Sequence, residues 1–145
     1  MAKGYGISYD ELKRFSFVLV DSLVDTRGLP AEHHPAAVLE RWEGKGRSAA
    51  MKSVTQGISD LLSFLKDTSP ERRAEVDRKL IEAGAPSVAL VSAWMSRKNG
   101  RVLKRGAIET DEEFERIGAL RDDKTLTEDE RAVFQRLLDE YEFGK

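Results

Sequence analysis

The sequence contains no cysteine, which excludes disulfide bonds, thiol catalysis and zinc or iron–sulfur sites built on cysteine. Its two histidines, His33 and His34, are adjacent, and their spacing matches no strong metal-binding pattern. The glycine-rich phosphate loop and the serine elbow of hydrolases are also missing. We therefore expect neither a metal nor another cofactor.

Long apolar stretches are missing as well. The longest apolar runs, such as Phe17 to Val20, are four residues long, whereas a membrane-spanning helix needs about 20. The first ten residues, MAKGYGISYD, lack the apolar core of a signal peptide. The sequence therefore predicts no membrane partner and a cytoplasmic location.

The composition is that of one globular domain. The chain has 145 residues, of which 40% are hydrophobic and 34% are charged, so we expect residues 1–145 to form a single helical domain. The net charge of −2 conceals an asymmetry: residues 1–108 hold 18 Lys and Arg against 13 Asp and Glu, and residues 109–145 hold 6 against 13. Such asymmetry indicates either a charged partner or attraction between the two parts.

The clearest periodic pattern lies in residues 47–66. Apolar residues recur there at spacings of three and four, which places them on one face of a helix: Met51, Val54, Ile58, Leu61 and Leu65. The adjoining flank holds Ala50, Ser53, Gly57 and Phe64, of which three are small enough to let a second backbone approach. We predict a central helix here.

The remaining pattern is also helical. Helix 1, residues 9–25, is apolar on nearly all sides, and helix 2, residues 36–43, is expected to turn Trp42 inward. Capping boxes at Ser8, Thr110 and Thr127 predict three helix starts. The Asn99–Gly100 pair is typical of a turn, and Arg101 to Ile108 has some strand character. The sequence predicts an all-α bundle of six or seven helices around the central helix, ending in an acidic helical hairpin at residues 109–145.

One short stretch carries five cations within nine residues: Arg97, Lys98, Arg101, Lys104 and Arg105. Such a cluster could contact a phosphate backbone, and its surroundings resemble the spacing of a helix-turn-helix. Alternatively, it docks against the acidic hairpin. The outward positions of the preceding helix are small residues, which offer little for reading bases.

No pattern of catalytic residues is present, and the acidic pairs occur at helix N-termini or in a loop, where negative charge is favoured. An enzyme whose site has no local signature stays open. We predict a non-enzymatic protein–protein interaction or regulatory module that binds another protein or, as a homodimer, itself. The candidate self-association residues are Phe17, Val20, Val24, Ser53 and Gly57. The alternative is a nucleic-acid-associated regulator that uses the basic cluster.

Overall fold

The computed structural model describes residues 6–25 and 27–144, and over these residues its regular structure is entirely helical. The all-α prediction is confirmed, but the described residues form eight α-helices rather than six or seven. None of these helices is long and apolar enough to cross a membrane. Their bounds are α1 Tyr9–Leu23, α2 Pro35–Glu43, α3 Arg47–Lys66, α4 Pro70–Glu82, α5 Val88–Met95, α6 Arg97–Arg105, α7 Asp111–Arg121 and α8 Glu128–Phe143, with a short 3₁₀ helix at Ala31–His33.

The additional helix is α6, where the sequence predicts a turn followed by strand character. Ser96 ends α5 and also caps α6, because its hydroxyl accepts the backbone N–H of Asn99 at 3.4 Å. Gly100 lies inside this helix, and the side chains of Val102 and Leu103, in the same helix, are fully buried. Tertiary burial thus overrides the local turn preference of Asn-Gly, and Gly106, at φ 79°, ends the helix in the left-handed conformation.

The described residues divide into two compact units. The α1–α4 unit comprises residues 8–86, and the α5–α8 unit comprises residues 87–144 with residues 6 and 7. The single-domain organisation stays a prediction.

Helix α3 is the main packing element of the α1–α4 unit. It packs against both α1 and α2. Three members of its predicted apolar face, Val54, Ile58 and Leu65, are buried, while Met51 and Leu61 are half-buried. Helix α1 buries one stripe made of Leu12, Phe15, Leu19 and Leu23. The α1 surface is therefore less enclosed than its composition predicts.

Helices α7 and α8 form an antiparallel pair in the α5–α8 unit. At one end the Tyr141 hydroxyl donates to Asp111 at 2.6 Å, and the Tyr141 ring lies 5.5 Å from that of Phe114. At the other end the Arg131 guanidinium donates to the carbonyl of Arg121 at 3.1 Å. Both helices begin with three acidic residues, which the partial positive charge of a helix N-terminus stabilises.

Candidate self-association surface

A cavity of about 360 Å³ opens in the α1–α4 unit between α1, the 3₁₀ helix, α2 and α3. We call it the α1–α3 groove. Four of the five residues predicted for self-association line it: Phe17, Val20, Ser53 and Gly57. The fold thus brings together, from two helices more than thirty positions apart in the chain, most of the set that the periodicity selected.

Gly57 lines the groove beside open space. A Cβ added at this position would meet no atom within 4 Å. No close contact with another described residue therefore requires a glycine here, although glycine in a helix interior costs about 0.5–1 kcal/mol relative to alanine. The space above Gly57 is open to another molecule.

A second cavity of about 630 Å³ borders the same helix. We call it the Trp42 cavity, and its lining comprises Trp42, Ser48, Ala49, Lys52, Ser53 and Gln56. The expectation that Trp42 points inward is wrong. The Trp42 side chain is 39% exposed, and the Lys45 ammonium lies 4.6 Å from the centroid of its ring. Ser53 lines both cavities, so this part of α3 is a strip of small residues between two cavities.

Val24 lies apart from this surface. It is the residue directly after α1, is 41% exposed, and lines a separate cavity whose other members are all polar: Asp21, Ser22, Asp25, Arg27 and Arg72. The sequence pattern grouped it with Phe17 and Val20 because helix 1 was expected to continue to residue 25. The helix ends at Leu23.

Polar contacts outside the groove also join α1 to α2. Glu43 accepts hydrogen bonds from the Tyr9 hydroxyl at 2.7 Å and from the Lys13 ammonium at 3.0 Å. The Tyr9 hydrogen bond, with help from Lys13, lowers the pKa of Glu43. Burial and the same carboxylate raise the pKa of Tyr9. These contacts hold the N-terminal part of α1 against the C-terminal part of α2.

The basic cluster lies on one face of α6, in the other unit. On a helix that turns about 100° per residue, all five cations fall within an arc of about 120°. Arg97, Lys98, Arg101 and Lys104 are exposed, and none of them forms an ion pair with a described residue. The Lys104 ammonium lies 4.5 Å from the centroid of the Trp94 ring.

Arg105 is paired within the unit. Its guanidinium donates to the carbonyl of Ala107 at 3.0 Å and bridges Glu109 and Glu113. Burial raises the pKa of Glu113, but the backbone N–H of Glu109 and the Arg105 guanidinium outweigh it and lower that pKa. The start of the acidic hairpin therefore covers one of the five cations and leaves four exposed.

The described residues contain no group of three or more histidine, aspartate and glutamate side chains that could hold a metal ion. His33 lines the α1–α3 groove, where its Nε2 lies 3.8 Å from Glu32.

No family model, no curated protein and no solved structure matches the chain. The described surfaces are therefore the basis for assigning a function. Sequence reasoning missed the exposure of Trp42, and it gave Phe64, which is 51% exposed, no role. The position of Phe64 on the same helix flank as Ser53 and Gly57 was the available signal.

Proposed function

We propose that this protein is a non-enzymatic interaction module that self-associates through the α3 surface between the α1–α3 groove and the Trp42 cavity. The observation that carries the proposal is the open space above Gly57, in an apolar groove that the described residues leave unfilled. Concave apolar surfaces flanked by polar residues are typical of binding sites.

The exposed aromatic residues support the same surface. Trp42 and Phe64 are 39% and 51% exposed, and both belong to the helices that border the cavities. Aromatic side chains contribute strongly to protein interfaces because they bury a large area with few rotatable bonds. An exposed pair of this kind favours a protein partner over a small polar ligand.

Light scattering or sedimentation over a concentration series tests the proposal. We expect a mass that rises toward twice that of the monomer at roughly micromolar concentrations, as befits a small interface. Gly57→Leu fills the groove without a clash at Cβ and should weaken association at least tenfold while the helix stays folded. Ser59→Leu adds the same side chain to an exposed part of α3 and should leave association unchanged.

A wild-type protein that stays monomeric at millimolar concentration would refute self-association. If Gly57→Leu and Ser59→Leu changed the strength of association equally, the contact would have to lie on another surface. Circular dichroism of both variants shows whether α3 is intact.

The exposed cations of α6 favour a second candidate function, binding to nucleic acid through the phosphate backbone. Four long basic side chains on one helix face, unpaired by acids of the described residues, suit such a contact. No strand follows α6 within the described residues, so the contact would be made by this helix face alone.

Binding of a mixed-sequence duplex and of a single strand, measured across a salt series, tests this second function. Contact with three or four phosphates predicts an affinity that falls steeply with salt, with a log–log slope of about −3 for duplex DNA. Arg97→Gln together with Arg101→Gln should reduce the slope by about 2. A salt-independent affinity, or none, would eliminate the phosphate contact.

A further inference from the structure

Six residues form a continuous seam along the exposed side of α3. Ala49, Ser53 and Gly57 are half-buried, Gln56 and Asp60 are exposed, and Phe64 is 51% exposed. At about 100° per residue, all six fall within an arc of about 100°. Since a helix rises about 1.5 Å per residue, the seam is about 22 Å long.

The seam is complementary in size to its own reversed copy. If a second α3 lies antiparallel, with the twofold axis between Gln56 and Gly57, then Phe64 faces Ala49, Asp60 faces Ser53, and Gln56 faces Gly57. Each pair joins a larger side chain to a small one. Ala49 and Ser53 also line the Trp42 cavity, so this register brings Phe64 of one copy to the cavity of the other.

The seam is also complementary in charge. Lys52 is exposed on the rim of the Trp42 cavity and forms no ion pair with a described residue. In the same antiparallel register it lies beside Asp60 of the second copy. Within its own helix Asp60 accepts only the Gln56 amide at 3.3 Å, which leaves a carboxylate oxygen available. The twofold axis generates this pair twice.

We infer that two copies of this chain pair through α3, antiparallel about an axis between Gln56 and Gly57, with Phe64 of each copy in the Trp42 cavity of the other. This inference rests on the proposed self-association and adds its partner surface and register. The contact is isologous, so it closes at two copies and does not extend into fibres.

The absence of cysteine makes a direct test possible, since one introduced cysteine is the only thiol. Gln56→Cys lies next to the axis, where two Cα atoms can approach within the roughly 7 Å that a disulfide requires. Under mild oxidation we expect most of this variant to become a covalent dimer at a concentration where the wild type is dimeric. Ser59→Cys, on the same helix but outside the seam, should yield at least tenfold less.

A charge exchange tests the register independently. Lys52→Glu and Asp60→Lys each place like charges together at two symmetric positions and should weaken the dimer about tenfold, whereas the double variant should return to within about threefold of the wild type. Lys66→Glu, on α3 but outside the arc of the seam, should change the dissociation constant less than twofold.

The outcomes distinguish a wrong register from a failure of self-association itself. A wild-type dimer whose Gln56→Cys and Ser59→Cys variants cross-link equally, or whose double charge variant is not rescued, overturns the antiparallel α3 register and leaves self-association standing. A monomeric wild type overturns both.

Discussion

Gly100 lies buried in the middle of α6, and a Cβ placed on it would overlap the backbone carbonyl of Trp94. A backbone atom cannot rotate away as the end of a side chain can. We therefore expect Gly100→Ala to lower the free energy of unfolding by about 1–3 kcal/mol, in the range of other overpacked sites. Urea denaturation followed by circular dichroism measures this change.

Gly118 in α7 is the matched control. It too lies inside a helix, but a Cβ there would meet no atom within 4 Å. Gly118→Ala should therefore raise the free energy of unfolding by about 0.5–1 kcal/mol, because alanine loses less backbone entropy on folding. If Gly100→Ala also raised the free energy of unfolding, the close approach of Gly100 to Trp94 would be refuted.

At the scale of the element, the connection from α6 to α7 depends on Glu113. Its side chain is 13% exposed and that of Arg105 is 26% exposed. Because the folded state lowers the pKa of Glu113, its contribution is fully present above the ordinary value of 4.5 and is lost as the pH falls through the lowered folded value. The link between these two helices should therefore weaken in acid.

Glu113→Gln removes this titration. We expect it to lower the free energy of unfolding by about 2 kcal/mol at pH 7, since it leaves Arg105 without its nearest carboxylate. The difference from the wild type should shrink toward pH 3, where the native carboxylate is increasingly protonated. Glu115→Gln, an exposed neighbour on α7, should shift stability by less than 0.5 kcal/mol. A pH-independent effect of Glu113→Gln would contradict the assigned ionisation.

Local patterns predicted the elements that depend on local interactions. The hydroxyls of Ser8, Thr110 and Thr127 accept the backbone N–H three residues on, as expected for such short-range pairs. The full capping box forms at Ser8 and Thr127, whereas the Glu113 carboxylate accepts the N–H of Glu109 rather than that of Thr110. Helix α6 was not predictable in this way. Asn-Gly favours a turn in isolation, and only the burial of Val102 and Leu103 and the close approach of Gly100 to α5 reverse that preference.

At the scale of the whole chain, the change in charge sign at residues 108–109 falls inside the α5–α8 unit, between α6 and α7. The ion pairs of Arg105 show that part of this asymmetry is satisfied within the unit. The four exposed cations of α6 have no acidic partner among the described residues. Periodicity could not predict this, because it shows which residues share a helix face but not what packs against that face.

The candidate surface was also predictable only where it depends on the periodicity of a single helix. The periodicity of α3 placed Ser53, Gly57 and Phe64 on one flank, because helical geometry repeats within a few residues. It could not place Trp42, whose surroundings are set by the way α2 packs on α3. Val24 was misplaced because its position depends on where α1 ends.

The two tryptophans are divided between the units, with Trp42 in one and Trp94 in the other. Each unit therefore carries one intrinsic fluorophore. In a Trp94→Phe variant the emission would come from Trp42 alone, at the rim of the cavity that Phe64 of a second copy would enter. Its emission maximum would then move to shorter wavelength as the protein is concentrated, so that pairing along α3 could be read from unlabelled protein in a cuvette.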